Sequence, residues 1–266
     1  MNKRYLLIIT CMFFMSPTCF GQLYVGPKAG IQAFAPFYPD KDNRAGLKLK
    51  PRPGLSLGLA AVAEVRENFA LHFEIAYSQK GKKVKDEISP LFSHKVRYNH
   101  IDFPILFTRR FNAKFGGQKA YQWYLNVGPN ISYWLGGSGE LISDELEEEN
   151  IARLDYTMVF KADSFDEDQA NFEDPNRLQL GLNVGGGLIF KPSDANMLLV
   201  DFRLEIGSTF VGKKGTATEF PHLLFAYTDN LAAVNVGLKA SVAYVFDLNL
   251  SQLKKGKSTK DIKRRR

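Results

Sequence analysis

The chain has 266 residues, enough for one domain of ordinary size, with 45% hydrophobic and 24% charged residues and a formal net charge of +7. Its two cysteines, Cys11 and Cys19, both precede residue 22, so the rest can hold no disulfide framework, cysteine-ligated zinc or cysteine nucleophile. The charge does not mark a nucleic-acid-binding domain: residues 254–266 carry eight Lys or Arg against one Asp, Lys3 and Arg4 add two more positive charges, and the remainder sums to about −2.

Residues 1–21 read as an export signal. Lys3 and Arg4 form the charged start and Tyr5 to Met15 the apolar run, and Cys19-Phe20-Gly21 fits a small-x-small cleavage site before Gln22. Eleven apolar residues are too few to cross a bilayer as a helix, and no later stretch reaches eighteen. Neither cysteine follows the sequence a lipoprotein signal needs, so no lipid anchor is expected.

From residue 22 to residue 248 the spacing predicts eight β-strands, each alternating apolar and polar or small side chains. The first, Leu23 to Phe34, sets Val25, Pro27, Ala29, Ile31 and Ala33 against Tyr24, Gly26, Lys28, Gly30 and Gln32. A proline-bearing loop over 35–52 leads to the second, Pro53 to Val65, with Leu55, Leu57, Leu59, Ala61 and Ala63 outward. After the turn Arg66-Glu67-Asn68, the third has Phe69, Leu71, Phe73, Ile75 and Tyr77 outward and His72, Glu74, Ala76 and Ser78 inward. A charged loop is expected over Gln79 to Lys95. The fourth strand, Val96 to Phe111, turns Ile101, Phe103, Ile105 and Phe107 outward and His100, Asp102 and Thr108 inward.

The fifth strand, Ala120 to Leu135, sends Tyr121, Trp123, Leu125, Val127, Ile131, Tyr133 and Leu135 to one side. Residues 136–175 then break the pattern as an acidic external loop: Glu140 to Asp174 holds thirteen Asp or Glu against Arg153 and Lys161, with a short strand expected near Leu154 to Lys161. The sixth strand runs from Arg177 to Phe190. In the seventh, Met197 to Val211, the apolar residues Val200, Phe202, Leu204, Ile206 and Phe210 alternate with Asp201, Arg203, Glu205 and Thr209. Three charges on one strand face must meet water or a paired polar interior. The closing strand, Leu231 to Leu248, contains the most regular alternation, Ala233 to Phe246, and its fourteen residues exceed the roughly 9 to 11 that a tilted strand needs to span hydrocarbon.

Connections after the even strands are short and those after the odd strands long, the pattern of short periplasmic turns and long external loops. Aromatics near strand ends (Tyr77, Phe111, Tyr121, Trp123, Tyr133, Phe190, Phe210, Tyr244, Phe246) supply interfacial girdles. A soluble lipocalin-like barrel would alternate too, but with its oily face inward. Here the glycines and charges suit a narrow interior, because eight strands leave room only for packed side chains. The expected fold is all-β: an eight-stranded antiparallel up-and-down transmembrane β-barrel in the outer membrane of a gram-negative bacterium, with lipid on its outer face.

Several segments, in order, resemble the PorT-like outer-membrane β-barrel domain family: GPKAGIQ at Gly26 to Gln32, FEIAYSQKGKK at Phe73 to Lys83, YNHIDFPILF at Tyr98 to Phe107, YLNVGPNISY at Tyr124 to Tyr133, LGLNVGGGLIF at Leu180 to Phe190 and VGLKASVAYVF at Val236 to Phe246. The resemblance implies an eight-stranded barrel from a lineage that uses type IX secretion, in which some members take part in secretion and gliding. The long acidic loop and the basic tail do not map onto the family's pattern.

His72, Glu74, His100 and Asp102 are the residues an embedded hydrolase would use, since a histidine with a carboxylate can activate water. A hairpin folded about residue 88 puts His72 opposite Pro104 and His100 opposite Ala76, at different depths, which speaks against one site. The reading is instead a lumenal polar network of Lys28, Glu64, His72, Glu74, His100, Asp102, Asp201, Arg203, Glu205 and Lys239, with Lys239 set to pair with Glu205 or Asp201. No catalytic residue, cofactor or metal is assigned. Asp163, Asp166, Glu167 and Asp168 lack the spacing of an EF-hand, and Gly185-Gly186-Gly187 precedes no helix, so it reads as close strand packing rather than a phosphate cradle. Residues 249–266 form a basic periplasmic tail. Its Lys254, Lys255, Lys257, Lys260, Lys263, Arg264, Arg265 and Arg266 are the candidate contact for periplasmic or secretion-machinery proteins.

Overall fold

The computed structural model describes residues 22–40, 47–86, 91–115, 119–164, 166–193, 195–213, 218–219 and 231–248. The export signal and the basic tail, Lys254 to Arg266, lie outside the described residues.

The strands are β1 (Gln22–Phe37), β2 (Leu47–Arg66), β3 (Phe69–Asp86), β4 (Ser93–Phe115), β5 (Lys119–Ile142), β6 (Leu154–Phe160), β7 (Gln169–Phe172), β8 (Leu178–Ser193), β9 (Asn196–Gly207), β10 (Thr218–Glu219) and β11 (Val234–Asp247), with one short helix, α1 (Asp144–Glu148). Eight of the strands close a ring in the order β5-β4-β3-β2-β1-β11-β9-β8, sealed by antiparallel pairing of β5 with β8 from Gln122↔Ile189 to Tyr133↔Leu178. Closure leaves no unpaired edge in the spanning region, which hydrocarbon would not tolerate. The hairpins β2–β3, β4–β5 and β8–β9 turn at the end where β1 starts and β11 finishes, and the longer connections lie at the opposite, external end.

The alternation decides which side chains meet lipid. Ile31, Phe202 and Leu238 are 66%, 62% and 65% exposed on the outer face, while Asp201, Arg203 and Glu205 are 3–5% exposed inside. Ala63 lies opposite the outward Leu71, as its assignment requires, although its small side chain is buried. Of the expected girdle aromatics, Tyr77, Trp123, Tyr133, Phe210 and Phe246 are exposed. At the terminal end Phe111 stacks on Trp123 at 4.3 Å and Tyr244 meets Phe246 edge-on at 4.9 Å. The side chain of Tyr121 lies outside the described residues.

The strands run further outward than periodicity indicates. Gln79 to Asp86 continues β3 and Ser93 to Lys95 begins β4, so most of the expected charged loop is sheet. Likewise β2 begins at Leu47 within the expected loop 35–52, and β5 continues through Gly136 to Ile142. Beyond the lipid the outer face becomes charged, so the apolar alternation fades although the hydrogen-bond ladder continues. Conversely β9 stops at Gly207, short of Val211, because Leu180 N–H is taken by Thr209 Oγ1 instead of a ladder carbonyl.

Two bulges shape the external half. In β5, Trp134 pairs with His100 and Gly136 with Asn99, leaving Leu135 as the extra residue. Gly136 there adopts φ +152°, a region that disfavours side chains. The bend carries the upper part of β5 out of the ring to pair with β6, to which β7 adds in parallel and then β10. In β2, pairing with β3 shifts by one between Pro51 and Ser56.

Candidate functional site: the lumen

Inward-facing side chains fill the barrel in zones. At the terminal end Tyr24, Val62, Ala70, Ile189, Met197, Leu199 and Val245 form an apolar plug. At the same end, beside the β2–β3 turn, Arg110 Nη1 donates to Glu64 Oε1.

Above the plug lies a quartet of charges. Lys28 Nζ donates to Glu74 Oε1 at 2.7 Å, and Arg203 forks onto the same carboxylate, Nη1 to Oε2 at 3.0 Å and Nη2 to Oε1 at 2.6 Å. Arg203 Nη2 also donates to Asp201 Oδ2 at 2.9 Å, where Tyr124 Oη (2.6 Å) and Asn126 Nδ2 (3.1 Å) converge. Two cations face two carboxylates, so the layer is neutral, and its charge-assisted bonds offset desolvation that an isolated ion could not survive. The glycines of β8 make room for it. A Cβ on Gly185 would stand 2.8 Å from Arg203 Cγ, and one on Gly187 2.6 Å from Tyr124 Oη.

A second neutral quartet follows. Lys80 Nζ bonds Glu205 Oε1 at 2.6 Å and Ser132 Oγ at 3.0 Å and lies 3.1 Å from Asp102 Oδ1. Lys239 Nζ reaches Asp102 Oδ2 at 2.9 Å and Glu205 Oε2 at 2.5 Å. Ser132 Oγ donates to Asp102 Oδ1 at 2.6 Å. Both ammonium groups sit over the ring of Phe34, at 5.1 and 5.5 Å from its centroid.

The external end is closed by an apolar cluster built on Trp134. Its ring lies 5.2 Å from Tyr98, 4.8 Å from Phe160 and 5.4 Å from Phe172, all edge-on, and Leu141, Leu146, Leu154, Met158 and Ala170 complete the packing. The acidic segment is therefore no bare loop: through α1, β6 and β7 its apolar residues cap the barrel while its carboxylates face solvent. Arg177 helps fix this cap, its guanidinium over Tyr133 (4.8 Å) and Phe160 (4.9 Å) and its Nε donating to the carbonyl of Trp134. Among the described residues no three His, Cys, Asp or Glu side chains gather as a metal site.

All ten residues expected in the lumenal network face the interior, in separate groups. His72 lies opposite Leu106 and His100 opposite Ser78, two residues from the expected register. His72 contacts the Tyr124 ring at 5.8 Å and His100 stacks on Trp134 at 6.3 Å. Glu74 is held by Lys28 and Arg203, and Asp102 by Ser132, Lys80 and Lys239, so neither carboxylate engages a histidine. Lys239 pairs with Glu205 as expected and with Asp102 instead of Asp201. The sequence reading missed Lys80 and Arg110. The inward period of His72, Glu74, Ala76 and Ser78 runs on to Lys80, and that of His100, Asp102 and Thr108 runs on to Arg110.

Residues 17–209 match the family described as outer membrane protein beta-barrel domain. Among solved structures, the chain is similar to the outer membrane protein OprG from Pseudomonas aeruginosa (11% identity, TM-score 0.45, covering 86% of this chain and 96% of that one). It is also similar to neisserial surface protein A (13%, 0.37, 84% and 96%) and to the attachment invasion locus protein Ail of Yersinia pestis (13%, 0.36, 85% and 99%). No curated protein matches the chain.

Proposed function

The chain belongs to the outer membrane protein β-barrel domain family, and from that premise we propose that it is a non-enzymatic, non-conducting membrane anchor. It holds an ordered external cap on one side of the outer membrane and a basic tail on the other. The observation that carries this reading is the filling of the lumen, from the plug at Met197 through the two ion quartets to the cluster around Trp134. A path for ions would have to break those layers, and a hydrolytic site would need a histidine free to meet a carboxylate. Reconstitution into planar bilayers tests it. The anchor reading expects no discrete current steps across ±100 mV, a range of order the 2.3 kcal/mol per charge that such a potential supplies. Stable unitary conductance would exclude it.

A second reading makes the anchor an accessory of type IX secretion, favoured by the PorT-like strand motifs and by the concentration of positive charge between Lys254 and Arg266. Affinity capture on the full-length protein, compared with a chain ending at residue 248, should recover secretion components only when the tail is present. Unchanged secretion after deletion of the gene would remove this reading while leaving the anchor intact.

A further inference from the structure

The outer wall carries a groove of about 830 Å³ that the filled lumen does not explain. Ala33 and Ala240 form its floor, where larger side chains would stand proud, and Ile31, Leu55, Phe202 and Leu238 form its sides. All belong to the outward face of β1, β2, β9 and β11, so the groove opens onto hydrocarbon.

Arg97 lines its external end, and Arg52 lies close to Arg97 there. The one-residue shift in β2 between Pro51 and Ser56 reverses the strand's facing and lays Arg52 along the outside of the barrel. Its position is fixed by Gly81, which alternates outward between the inward Lys80 and Lys82: a Cβ on Gly81 would lie 3.2 Å from Arg52 Cδ. Gly81 pairs across the ladder with Arg97, itself outward between the buried Val96 and Tyr98. The two guanidiniums are thus neighbours, and their charges act on one another. Arg97 Nε is buried without a hydrogen-bond partner, and the carboxylate that acts on Arg52, Glu140, is already held by Lys95 at 2.6 Å. The height is informative as well. Tyr77 and Ile101 are the last apolar outward residues of β3 and β4, and Gln79, Gly81, Asn99 and Arg97 follow, so the arginines sit one or two residue pairs above the hydrocarbon edge.

We propose that Arg52 and Arg97, with the apolar groove beneath them, form a site for a phosphorylated, acylated glycolipid of the outer leaflet, the phosphate bridging the two guanidiniums and an acyl chain lying between Leu238 and Leu55. Two adjacent forks match the dianion of a phosphomonoester, whereas the phosphodiester of an ordinary phospholipid carries a single charge. The inference rests on the membrane placement of the barrel and is independent of whether the lumen conducts.

Native mass spectrometry of the whole protein in nanodiscs tests it. Discs would contain phosphatidylethanolamine with diphosphorylated lipid A, fully dephosphorylated lipid A or phosphatidylglycerol. The wild type should retain the diphosphorylated lipid alone, and the R52Q/R97Q variant should lose at least about tenfold of that retention, the size of one charge-assisted hydrogen bond. A240W, which fills the groove and leaves the arginines in place, should lower it as well. Equal retention of phosphatidylglycerol or of dephosphorylated lipid A by the wild type overturns the proposal, as does undiminished retention by either variant. The comparison among lipids decides the matter even if a variant does not fold, and heat-modifiable migration on gels verifies folding.

Discussion

Replacing Arg203 by Met should lower the stability of the barrel by roughly 3–5 kcal/mol, the cost of stranding a buried charge partner. Among the described residues, Arg203 is the group that hydrogen-bonds both Glu74 and Asp201. Without it, two buried carboxylates remain with only the Lys28 ammonium on Glu74, and Asp201 keeps only the neutral donors Tyr124 and Asn126. Urea unfolding in lipid vesicles, followed by heat-modifiable gel migration, measures the change. Adding Glu74→Gln to Arg203→Met should recover part of the loss, because it removes one of the stranded charges. The control is Lys95→Met, which breaks a bridge to Glu140 whose partners are 33% and 25% exposed. It should cost no more than about 1 kcal/mol, as half-exposed pairs do. Equal effects of Arg203→Met and Lys95→Met would mean that the quartet is not the desolvated, mutually dependent layer described above.

Trp134→Ala should cost about 3–5 kcal/mol through the cavity it leaves, with the consequence concentrated at the external end. Trp134 is fully buried and touches Tyr98 on β4, Phe160 on β6 and Phe172 on β7, so it ties the cap to the ring. The expected result is rapid cleavage within residues 142–178 by protease added outside intact cells or proteoliposomes, while the eight-stranded ring stays heat-modifiable. The wild-type cap should resist under the same conditions. Simultaneous loss of both would show that cap and ring are one cooperative unit.

The membrane-crossing parts of the strands were legible because lipid imposes a strict rule on them. Phe202 and Leu204 must face hydrocarbon, so Asp201, Arg203 and Glu205 must face in, and a two-residue period is enough to say so. The same rule lapses above the lipid, where Gln79 to Asp86 and Gly136 to Ile142 carry charged or small outward residues and yet remain in the ladder. That is why Lys80, central to the second quartet, looked like part of a charged loop. Of the cap only β6 was legible, as the short strand expected near Leu154 to Lys161, and the rest was hidden for a different reason. Its strands are four to seven residues long, and the parallel pairing of β6 with β7 depends on contacts with Trp134 that no local pattern encodes. Apart from Lys239 with Glu205, which lie on adjacent strands, the pairing of cations with carboxylates was equally hidden, since Lys80 and Glu205 are 125 residues apart and their meeting is set by ring closure.

The facing of the strands is tested most directly by spin labels, because strands β1–β11 contain no cysteine and single cysteines can be placed at will. Labels at Ile31, Leu57, Phe202 and Leu238 should relax strongly with dissolved oxygen and weakly with a water-soluble nickel complex, as lipid-exposed sites do. Labels at Asn126 and Ser241 should be shielded from both. Oxygen access at Asn126 and Ser241, with burial at Phe202 and Leu238, would place the apolar faces inside and contradict the account at its root.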